Sequence, residues 1–249
     1  MQNIIKRNIK IEMAYDGTNY HGFQTQKNGI TIQETLEAAL SRFLGENIIV
    51  YGCGRTDAGV HAEKYFFNFY TASTVPADKF PLAMKAFLPD DIVLKKGEEA
   101  NEDFHARFSI KKKTYVYRIL NSTVQNPFLR NYAYFYPKKL DVKKMENACK
   151  LIEGTHDFKA FMASGGQVKT TVRTVYDLHI EEKGEIISIF VTADGFLYNM
   201  VRIIAGTLID IGTDKLQGTD IKNALLNNER KILGTTAPPH GLFMYDIEY

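Results

Sequence analysis

The sequence predicts an α+β protein in which helices pack on one face of a mostly antiparallel sheet. Two observations predict this class. Segments in which apolar and polar residues alternate, as in "IKIEMAYDG", are typical of half-buried strands, whereas capped segments with one apolar face, as in "TIQETLEAALSRFLG", are typical of helices. The two kinds of segment are interspersed, and the second half of the chain resembles the first in the order of its elements. We therefore expect two similar halves.

The first half begins with a strand in "IKIEMAYDG" that runs into an Asp-Gly turn. The next helix is expected to start at Thr31, which forms a capping box with Glu34, and to end at Gly45. "NIIVYGC" and "EKYFFNFY" predict strands on either side of a glycine-containing segment. "PADKFPLAMKAFLPDD" predicts a helix that Pro89 terminates.

In the second half, "KTYVYRILN" and "NYAYFYP" predict strands, and "TVYDLHIEE" with "IISIFVTADG" predicts a hairpin about Lys183 and Gly184. Helices are predicted in "DVKKMENACKLIEG", opened by Asp141, in "FLYNMVRIIAGTLIDIG", and in "GTDIKNALLNN", where Thr219 is the expected cap. No Pro-, Gly- or Ser-rich linker lies near residue 105, so residues 1–104 and 105–249 are expected to share one continuous sheet.

Composition narrows the class of protein. With 249 residues, 45% of them hydrophobic and 24% charged, the chain is typical of a soluble globular protein. Mean hydropathy is −0.24, and an arginine and an aspartate interrupt the most apolar stretch, residues 196–211, so no membrane span is expected. The amino-terminal segment lacks the apolar core of a secretory signal, which predicts a cytoplasmic protein. Cys53 and Cys149 are far apart and are expected to be reduced thiols.

The charge is unevenly distributed, although the net charge is only +2. Residues 105–173 hold fourteen Lys and Arg against four Asp and Glu, a local balance of +10, and the rest of the chain carries −8. A basic segment of this kind is typical of a surface that meets phosphates. A solvated lysine-rich face would account for the composition equally well.

The nine residues "GRTDAGVHA", residues 54–62, lie between two predicted strands. Their glycines do not fit a dinucleotide-binding fingerprint, because Asp57 stands where the third glycine is needed, and the Gly-Lys-Ser/Thr ending of a phosphate loop is absent. The six histidines are scattered without HxxxH or CxxC spacing, so no metal site is expected. The GxSxG nucleophile elbow of a hydrolase is also absent.

Asp57 admits two interpretations. An aspartate in a strand-to-strand turn most often accepts backbone N–H bonds and serves the turn alone. A catalytic role is favoured by Gly54 and Gly59, which let backbone approach a ligand, and by Arg55, whose planar guanidinium suits a phosphate. Arg202 favours it as well, because this lone charge in an apolar helix needs an anionic partner.

The partner of Arg202 stays open at this level. Asp194 and Asp210 lie at the ends of its apolar run, and the side chain could instead extend to solvent. If Asp57 is the partner, the arginine would aim one carboxylate oxygen at a substrate.

Aromatic residues alternate with basic ones in the second half. Lys112 and Lys113 come shortly before Tyr115 and Tyr117, an arrangement that suits lysines on phosphates and a ring on an unstacked base. Tyrosines at a period of two are also typical of a sheet core. Because both rings lie on the same face of the predicted strand, spacing alone does not separate a stacking ring from a packing ring.

At these residues the sequence resembles the tRNA pseudouridine synthases of the TruA type. The likeness covers nearly the whole chain, and the motifs that carry it occur in this order: "YDGTNYHGFQTQ", "GCGRTDAGVHA", "DFHARFS", "KTYVYRILN", "FLYNMVRIIAGTLIDIG" and "PPHGLFMYDIEY". One departure is Phe23, which stands in "HGFQ" where many relatives have tryptophan.

The resemblance implies a fold and an activity. The fold would have two similar ferredoxin-like halves that share a mixed, mostly antiparallel sheet, with helices on one face and the active-site cleft between the halves. Residues 1–104 would carry the catalytic aspartate motif, and residues 105–249 would form the basic half that completes the cleft. The activity would be isomerisation of uridine to pseudouridine at positions 38, 39 and 40 in the anticodon stem-loop of tRNA, by a homodimer that needs no cofactor or metal.

The resemblance also implies roles for single residues. Asp57 matches the catalytic aspartate, Arg202 the arginine that pairs with it, and Tyr115 the tyrosine that stacks on the uracil. Arg55 matches an arginine that binds RNA and helps to displace the target base. Two other functions stay open from the residues alone: an RNA-binding protein without catalysis, and a hydrolytic N-glycosidase that would release free uracil.

Overall fold

The structure is a computed structural model that describes residues 6–166 and 168–249. Residues 1–5, on which part of the cytoplasmic prediction rests, lie outside the described residues. The chain divides into two compact units: the first runs to Lys111 and includes the closing residues Met244–Tyr249, and the second is Lys112–Phe243. The halves 1–104 and 105–249 and the cleft between them stay predictions.

The pairings described for the first four strands, all in the first unit, are antiparallel. The strand β1 (Arg7–Tyr15) pairs on one side with β3 (His61–Thr71) and on the other with β4 (Ile92–Ala100). The short strand β2 (Tyr51–Gly52) also pairs with β3. The strand β10 (Leu242–Glu248) is a neighbour of β3 in the sheet. The alternation predicted for β1 is confirmed, because Ile9, Ile11 and Met13 are fully buried. These side chains form part of the core of the first unit.

The helix α1 (Ile32–Leu44) has the predicted ends. The Thr31 hydroxyl accepts a hydrogen bond from the Glu34 backbone N–H at 3.3 Å, and Gly45 ends the helix with a left-handed φ of 67°. Its buried residues, Ile32, Leu36, Ala39 and Leu40, lie on the predicted apolar face. The local signals for this helix and its tertiary packing agree.

The strand predicted over "NIIVYGC" is wrong in extent, because only Tyr51–Gly52 pairs as a strand. Side chains of α1 satisfy the backbone before it. The Val50 N–H donates to Glu37 at 3.0 Å, and the Val50 carbonyl accepts from the Gln33 amide at 3.2 Å. The Ile48 N–H donates to the Ser41 hydroxyl at 3.0 Å. These bonds take the place of a strand partner.

The helix predicted to end at Pro89 is also wrong in extent, since α2 (Phe80–Met84) stops five residues earlier. The N–H groups of Phe87 and Leu88 then both donate to the Met84 carbonyl and turn the chain. The Phe87 ring packs edge-on against Phe43 of α1, with ring centroids 5.3 Å apart. Packing of this ring overrides the local helical preference.

The second unit has the strand order β5, β9, β8, β7. The bounds are β5 (Lys112–Leu120), β6 (Tyr134–Phe135), β7 (Gly154–Asp157), β8 (Val172–Lys183) and β9 (Ile186–Ala193). The predicted hairpin is confirmed, because Lys183 pairs with Ile186 across Gly184, whose φ is 61°. Only β6 and β5 pair in parallel among the registers described, so the sheet is mixed and mostly antiparallel, as predicted.

Three α-helices are described in the second unit: α3 (Val142–Cys149), α4 (Met200–Gly212) and α5 (Gly218–Asn227). Asp141 caps α3 as predicted, by accepting from the Lys144 N–H at 3.1 Å. The Thr219 cap is wrong, because Gln217 caps α5 in a reciprocal box with Asp220. The predicted α+β class is confirmed. No helix among the described residues has both the length and the apolar character that crossing a membrane requires.

The strand predicted over "NYAYFYP" and the start of the α4 prediction are also corrected. Only Tyr134–Phe135 pairs, because the N–H groups of Tyr132 and Ala133 donate to the Leu129 carbonyl in a turn. The helix α4 begins at Met200 and not at Phe196, because Asn199 has a left-handed φ of 60° that a helix interior does not admit.

Candidate active site

Asp57 lies half-buried in the loop between β2 and β3. Its carbonyl accepts a hydrogen bond from the Val60 N–H at 3.2 Å, and Gly59 has a φ of 75°, as a type II turn requires at its third position. The backbone of Asp57 therefore forms a turn, and both interpretations of its carboxylate stay predictions. The turn bond uses the main-chain carbonyl and not the carboxylate.

The loop is held by the segment that follows β1. The Phe23 N–H donates to the Thr56 carbonyl at 3.3 Å, and the Gly59 N–H donates to the Tyr20 carbonyl at 3.2 Å. A Cβ on Gly22, whose φ is 83°, would collide with the Thr56 carbonyl oxygen. Gly22 therefore lets the Thr56 carbonyl approach to van der Waals distance, and Gly17 does the same for the Val60 carbonyl.

Aromatic side chains support the loop from the core. The Tyr15 hydroxyl is hydrogen-bonded to the Thr56 hydroxyl at 2.9 Å, and the Tyr65 hydroxyl donates to the Gly54 carbonyl. Phe23 stacks on Tyr65 with centroids 4.6 Å apart and an interplanar angle of 24°. Phe23 therefore packs as an aromatic ring against the core. Burial raises the pKa of Tyr15 far above its ordinary value, so the hydroxyl keeps its proton.

Two further side chains fix the segment that follows β1. The buried His61 ring accepts a hydrogen bond at Nδ1 from the Gly17 N–H at 3.1 Å. The Tyr20 hydroxyl donates to Asp91 at 2.6 Å. Burial, and then the bond to Asp91, raise the pKa of Tyr20 above its ordinary value. Side-chain and backbone bonds on both sides therefore fix the loop that presents Asp57.

A groove opens beside this loop, within the first unit. It has a volume of about 220 Å³, and its walls include Tyr51, Gly54, Arg55, His105, Arg107 and Phe108. We call it the Arg107 groove. His105 accepts from the Arg107 N–H at Nδ1, 3.1 Å away, which leaves the proton of a neutral ring on Nε2. Burial lowers the pKa of His105 from its ordinary value of 6.5. A hydrogen bond to the backbone of the same residue raises the pKa by less, so the pKa stays below 6.5 and the ring is neutral at pH 7.

In the second unit, Tyr115 and Tyr117 differ in their surroundings. Tyr117 is fully buried, and its hydroxyl donates to the Pro238 carbonyl at 2.9 Å. It is a core residue. Tyr115 is 8% exposed and meets Phe196 edge-on, with centroids 5.0 Å apart and an interplanar angle of 88°. The proposed stacking role of Tyr115 stays a prediction.

Arg202 lies in the first turn of α4 and is half-buried. Its Nε donates to the Ala237 carbonyl at 2.8 Å, and its terminal NH1 donates to the Asn199 side chain at 2.9 Å. Asn199 itself has a left-handed φ of 60°, a conformation that residues at functional sites adopt more often than others. Sequence reasoning missed both partners, and they orient the guanidinium.

The two alternative anions for Arg202 make other contacts. Asp210 pairs with Lys215 at 2.9 Å, and Asp194 accepts from the Thr174 N–H at 3.1 Å. Lys112 and Lys113 start β5, both half-buried, and the Lys112 ammonium lies 5.5 Å from the centroid of the Tyr176 ring. The pairing of Arg202 with Asp57 and the phosphate contacts of the lysines stay predictions.

The described residues bring some predicted site residues together. Arg55 and Asp57 share one loop, and Lys112, Lys113 and Tyr115 share β5. Sequence reasoning gave no role to His105, Arg107 or Phe108, although "DFHARFS" contains all three; the overlooked signal was an arginine next to aromatic rings. Within residues 6–166 and 168–249, no group of three His, Cys, Asp or Glu is arranged to hold a metal ion.

An exposed arginine next to a half-buried carboxylate, together with basic and aromatic clusters, is typical of an enzyme that acts on a nucleic acid. A family model described as tRNA pseudouridine synthase matches residues 12–109 and 148–249. The chain therefore belongs to the tRNA pseudouridine synthase family, a family of isomerases that act on tRNA.

Curated relatives match over nearly the whole chain. The tRNA pseudouridine synthase A of Caldicellulosiruptor bescii is 47% identical over 243 residues, which cover 98% of this chain and all of that protein. The protein of the same name from Ruminiclostridium cellulolyticum is 48% identical over 244 residues, with the same two shares. A solved structure of an H/ACA ribonucleoprotein bound to a substrate RNA containing 2'-deoxyuridine aligns with 79% of this chain and 45% of that chain, at 14% identity and a TM-score of 0.38. The family assignment rests on the sequence relatives.

Proposed function

We propose that this protein isomerises uridine to pseudouridine at positions 38, 39 and 40 in the anticodon stem-loop of tRNA, with Asp57 as its essential catalytic carboxylate. The observation that carries the proposal is the Asp57 loop. Its backbone is fixed by the turn to Val60 and by the bonds of Thr56 to Phe23 and Tyr15, so the carboxylate is presented by a preorganised frame.

The reaction needs few groups. It breaks the N1–C1' glycosidic bond, turns the detached uracil and joins C5 to C1', with no net oxidation and no water consumed. N1 gains a proton and C5 loses one. An anionic carboxylate beside C1' serves this change by stabilising positive charge there, by attacking C1', or by removing the neighbouring 2' proton.

The remaining site residues act on the RNA or on Asp57. The target base must leave its stack, and Arg55 helps to displace it while Tyr115 stacks on the uracil. Arg202, already oriented by Asn199 and Ala237, pairs with Asp57 and holds its carboxylate in position. Lys112 and Lys113 bind phosphates of the tRNA. The protein acts in the cytoplasm as a homodimer. Sedimentation at several protein concentrations tests the homodimer.

The first prediction concerns Asp57. The protein is incubated with tRNA tritiated at uracil C5, and both tritium release and free uracil are measured. Wild-type protein is expected to release tritium while the base stays in the RNA. Asp57→Asn keeps the shape of the side chain but removes the carboxylate, so isomerisation should be lost while tRNA binding is largely retained. Asp90→Asn, at an exposed carboxylate of the same unit, is the matched control and should turn over normally.

Each other outcome has a clear meaning. Near-normal turnover by Asp57→Asn would remove this residue from the proposed mechanism. Free uracil from the wild-type protein would show hydrolysis of the glycosidic bond instead of isomerisation. Binding of tRNA with neither product would show an RNA-binding protein without catalysis.

A further inference from the structure

The Arg107 groove carries chemistry that the proposed roles of Asp57, Tyr115 and Arg202 do not use. Its two charged wall residues, Arg55 and Arg107, are both exposed and both positive. The described walls include no carboxylate; their other polar side chains are the Gln24 and Gln33 amides, the Tyr51 hydroxyl and the His105 ring. A groove of this charge is complementary to a phosphate, for which a guanidinium offers a planar pair of donors.

The groove also carries a series of flat side chains. The His105 ring lies 5.2 Å from the Tyr51 ring and 4.4 Å from the Phe108 ring, centroid to centroid. Phe108 is 76% exposed, so a face of its ring is open to a ligand. The Arg107 guanidinium lies 5.7 Å from the Phe108 ring centroid, so the positive charge and the exposed ring are neighbours on the groove wall.

The turn that bears these side chains is built rigidly. The N–H groups of Phe108 and Ser109 both donate to the His105 carbonyl, at 3.1 and 3.0 Å. The Ser109 hydroxyl accepts in return from the His105 N–H at 3.2 Å. The backbone that carries Phe108 is therefore held by a closed set of bonds, and a ligand that stacks on the ring has little ordering of the protein backbone to overcome.

The size of the groove limits its occupant. About 220 Å³ lies below the roughly 300–1,000 Å³ of sites for drug-sized ligands, so the groove suits one unpaired base and not a base pair. Its position relative to Asp57 is also limited, because Arg55 belongs to the groove wall and is only two residues from Asp57, at most about 7 Å along the backbone. Adjacent nucleotides of one strand span such a distance.

We infer that the Arg107 groove binds the nucleotide next to the target uridine, with its base held outside any base pair and stacked on Phe108 and its phosphate bound by Arg107. The inference rests on the proposed function for the identity of the RNA. It adds a second recognition site, which would fix the register of the strand while the target base is turned out beside Asp57.

Binding of an anticodon stem-loop RNA tests this inference. Phe108→Ala should weaken binding roughly 5- to 150-fold, the range for losing the stacking of one base. Phe108→Trp should restore it. Arg107→Gln should lower the slope of log affinity against log salt by about 0.7, the value for one phosphate contact to a single strand. Leu82→Ala, also 76% exposed and in the same unit, is the control and should bind normally.

An RNA partner variant makes the test specific. An abasic site is placed on either side of the target uridine, one RNA at a time. On one of the two sides, the abasic RNA and Phe108→Ala should each weaken binding, and together they should do no more than either alone. Additive losses on both sides, or normal binding by Phe108→Ala, would overturn the groove assignment.

The two proposals fail separately. If wild-type protein makes pseudouridine and Phe108→Ala binds and reacts normally, the groove assignment is wrong and the proposed function stands. If no pseudouridine forms but Phe108→Ala and the abasic RNA still show a shared loss, the groove binds RNA and the proposed function is wrong.

Discussion

At the scale of single residues, Gly22 decides whether the Asp57 loop reaches its position. It combines two demands that separate elsewhere in the chain: a left-handed φ of 83° and a hydrogen atom where a Cβ would strike the Thr56 carbonyl. Gly45 has a similar φ of 67°, but a Cβ there would have nothing within 4 Å. Alanine substitutions at Gly22 and Gly45 therefore separate the cost of backbone strain from the cost of displacing the Asp57 loop.

The second prediction compares Gly22→Ala with Gly45→Ala. Gly45→Ala should lower the free energy of unfolding by about 1–2 kcal/mol, the cost of a left-handed alanine. Gly22→Ala should lower it by at least ~1 kcal/mol more, because the loop must also move, and it should lower kcat of the folded enzyme. Urea denaturation and steady-state kinetics measure both. Equal losses of stability with unchanged kcat in both variants would mean that the contact with Thr56 does not position the loop.

At the scale of elements, the segment before β2 shows why local sequence gives an incomplete fold. "NIIV" has the composition of a strand, but its backbone bonds go to α1 through Gln33, Glu37 and Ser41. Strand propensity describes a fit to a pleated sheet and does not identify a partner. Helix α1 was predicted fully, because its cap residues Thr31 and Gly45 are local to it.

The third prediction concerns Glu37, which joins α1 to this segment. Its carboxylate accepts from the Val50 N–H and from the Gln33 amide, at 3.0 and 2.9 Å. Glu37→Ala should lower the free energy of unfolding by about 1–3 kcal/mol, because it leaves a partly buried N–H without its acceptor. Glu34→Ala, at an exposed position of the same helix, should cost less than about 1 kcal/mol. Similar losses in the two variants, measured in urea, would contradict this role.

In the candidate site as well, the sequence predicts features that depend on neighbouring residues better than features that depend on residues far apart in the chain. The turn at Asp57 was readable, because glycines and an aspartate lie together in "GRTDAG". The Ala237 partner of Arg202 was not readable, because it is thirty-five residues away in a segment without periodicity, whereas the Asn199 partner is only three residues away and was overlooked. The Arg107 groove was missed for a related reason: Tyr51 and His105 are distant in sequence, and only folding of the first unit brings their rings within 5.2 Å.

At the scale of the whole molecule, ion pairs within and between strands make stability depend on pH. Hydrogen bonds from Lys96 and Lys10 hold the pKa of Glu98 below its ordinary value of 4.5. A carboxyl whose folded pKa is lowered contributes stability above its unfolded pKa and loses it as pH falls through the folded value. The contribution of Glu98 is therefore present at pH 7 and declines below about pH 4.5.

The fourth prediction follows from that sign. In urea denaturation at pH 7 and near pH 3.5, Glu98→Gln should lower the free energy of unfolding at pH 7 and should differ less from the wild type in acid. The effect is expected to be under about 1 kcal/mol, because the pair is partly exposed and solvent screens it. Glu102→Gln, at an exposed site, should show no such pH-dependent difference. A Glu98→Gln difference that grows in acid would reverse the assigned sign.

The uneven charge of the chain gives the last prediction. Affinity for tRNA should fall linearly on a log–log plot as salt rises, because each phosphate contact releases counterions. If Lys112 and Lys113 of the +10 segment make such contacts, replacing both by glutamine should lower the slope by about 1.4–1.8, at 0.7–0.9 for each contact. The control replaces Lys79 and Lys85, two exposed lysines outside that segment, by glutamine and removes the same charge. Because net charge changes equally in both proteins, a lower slope in only the first assigns the phosphate contacts to β5, whereas equal slopes would assign the effect of the lysines to net charge alone.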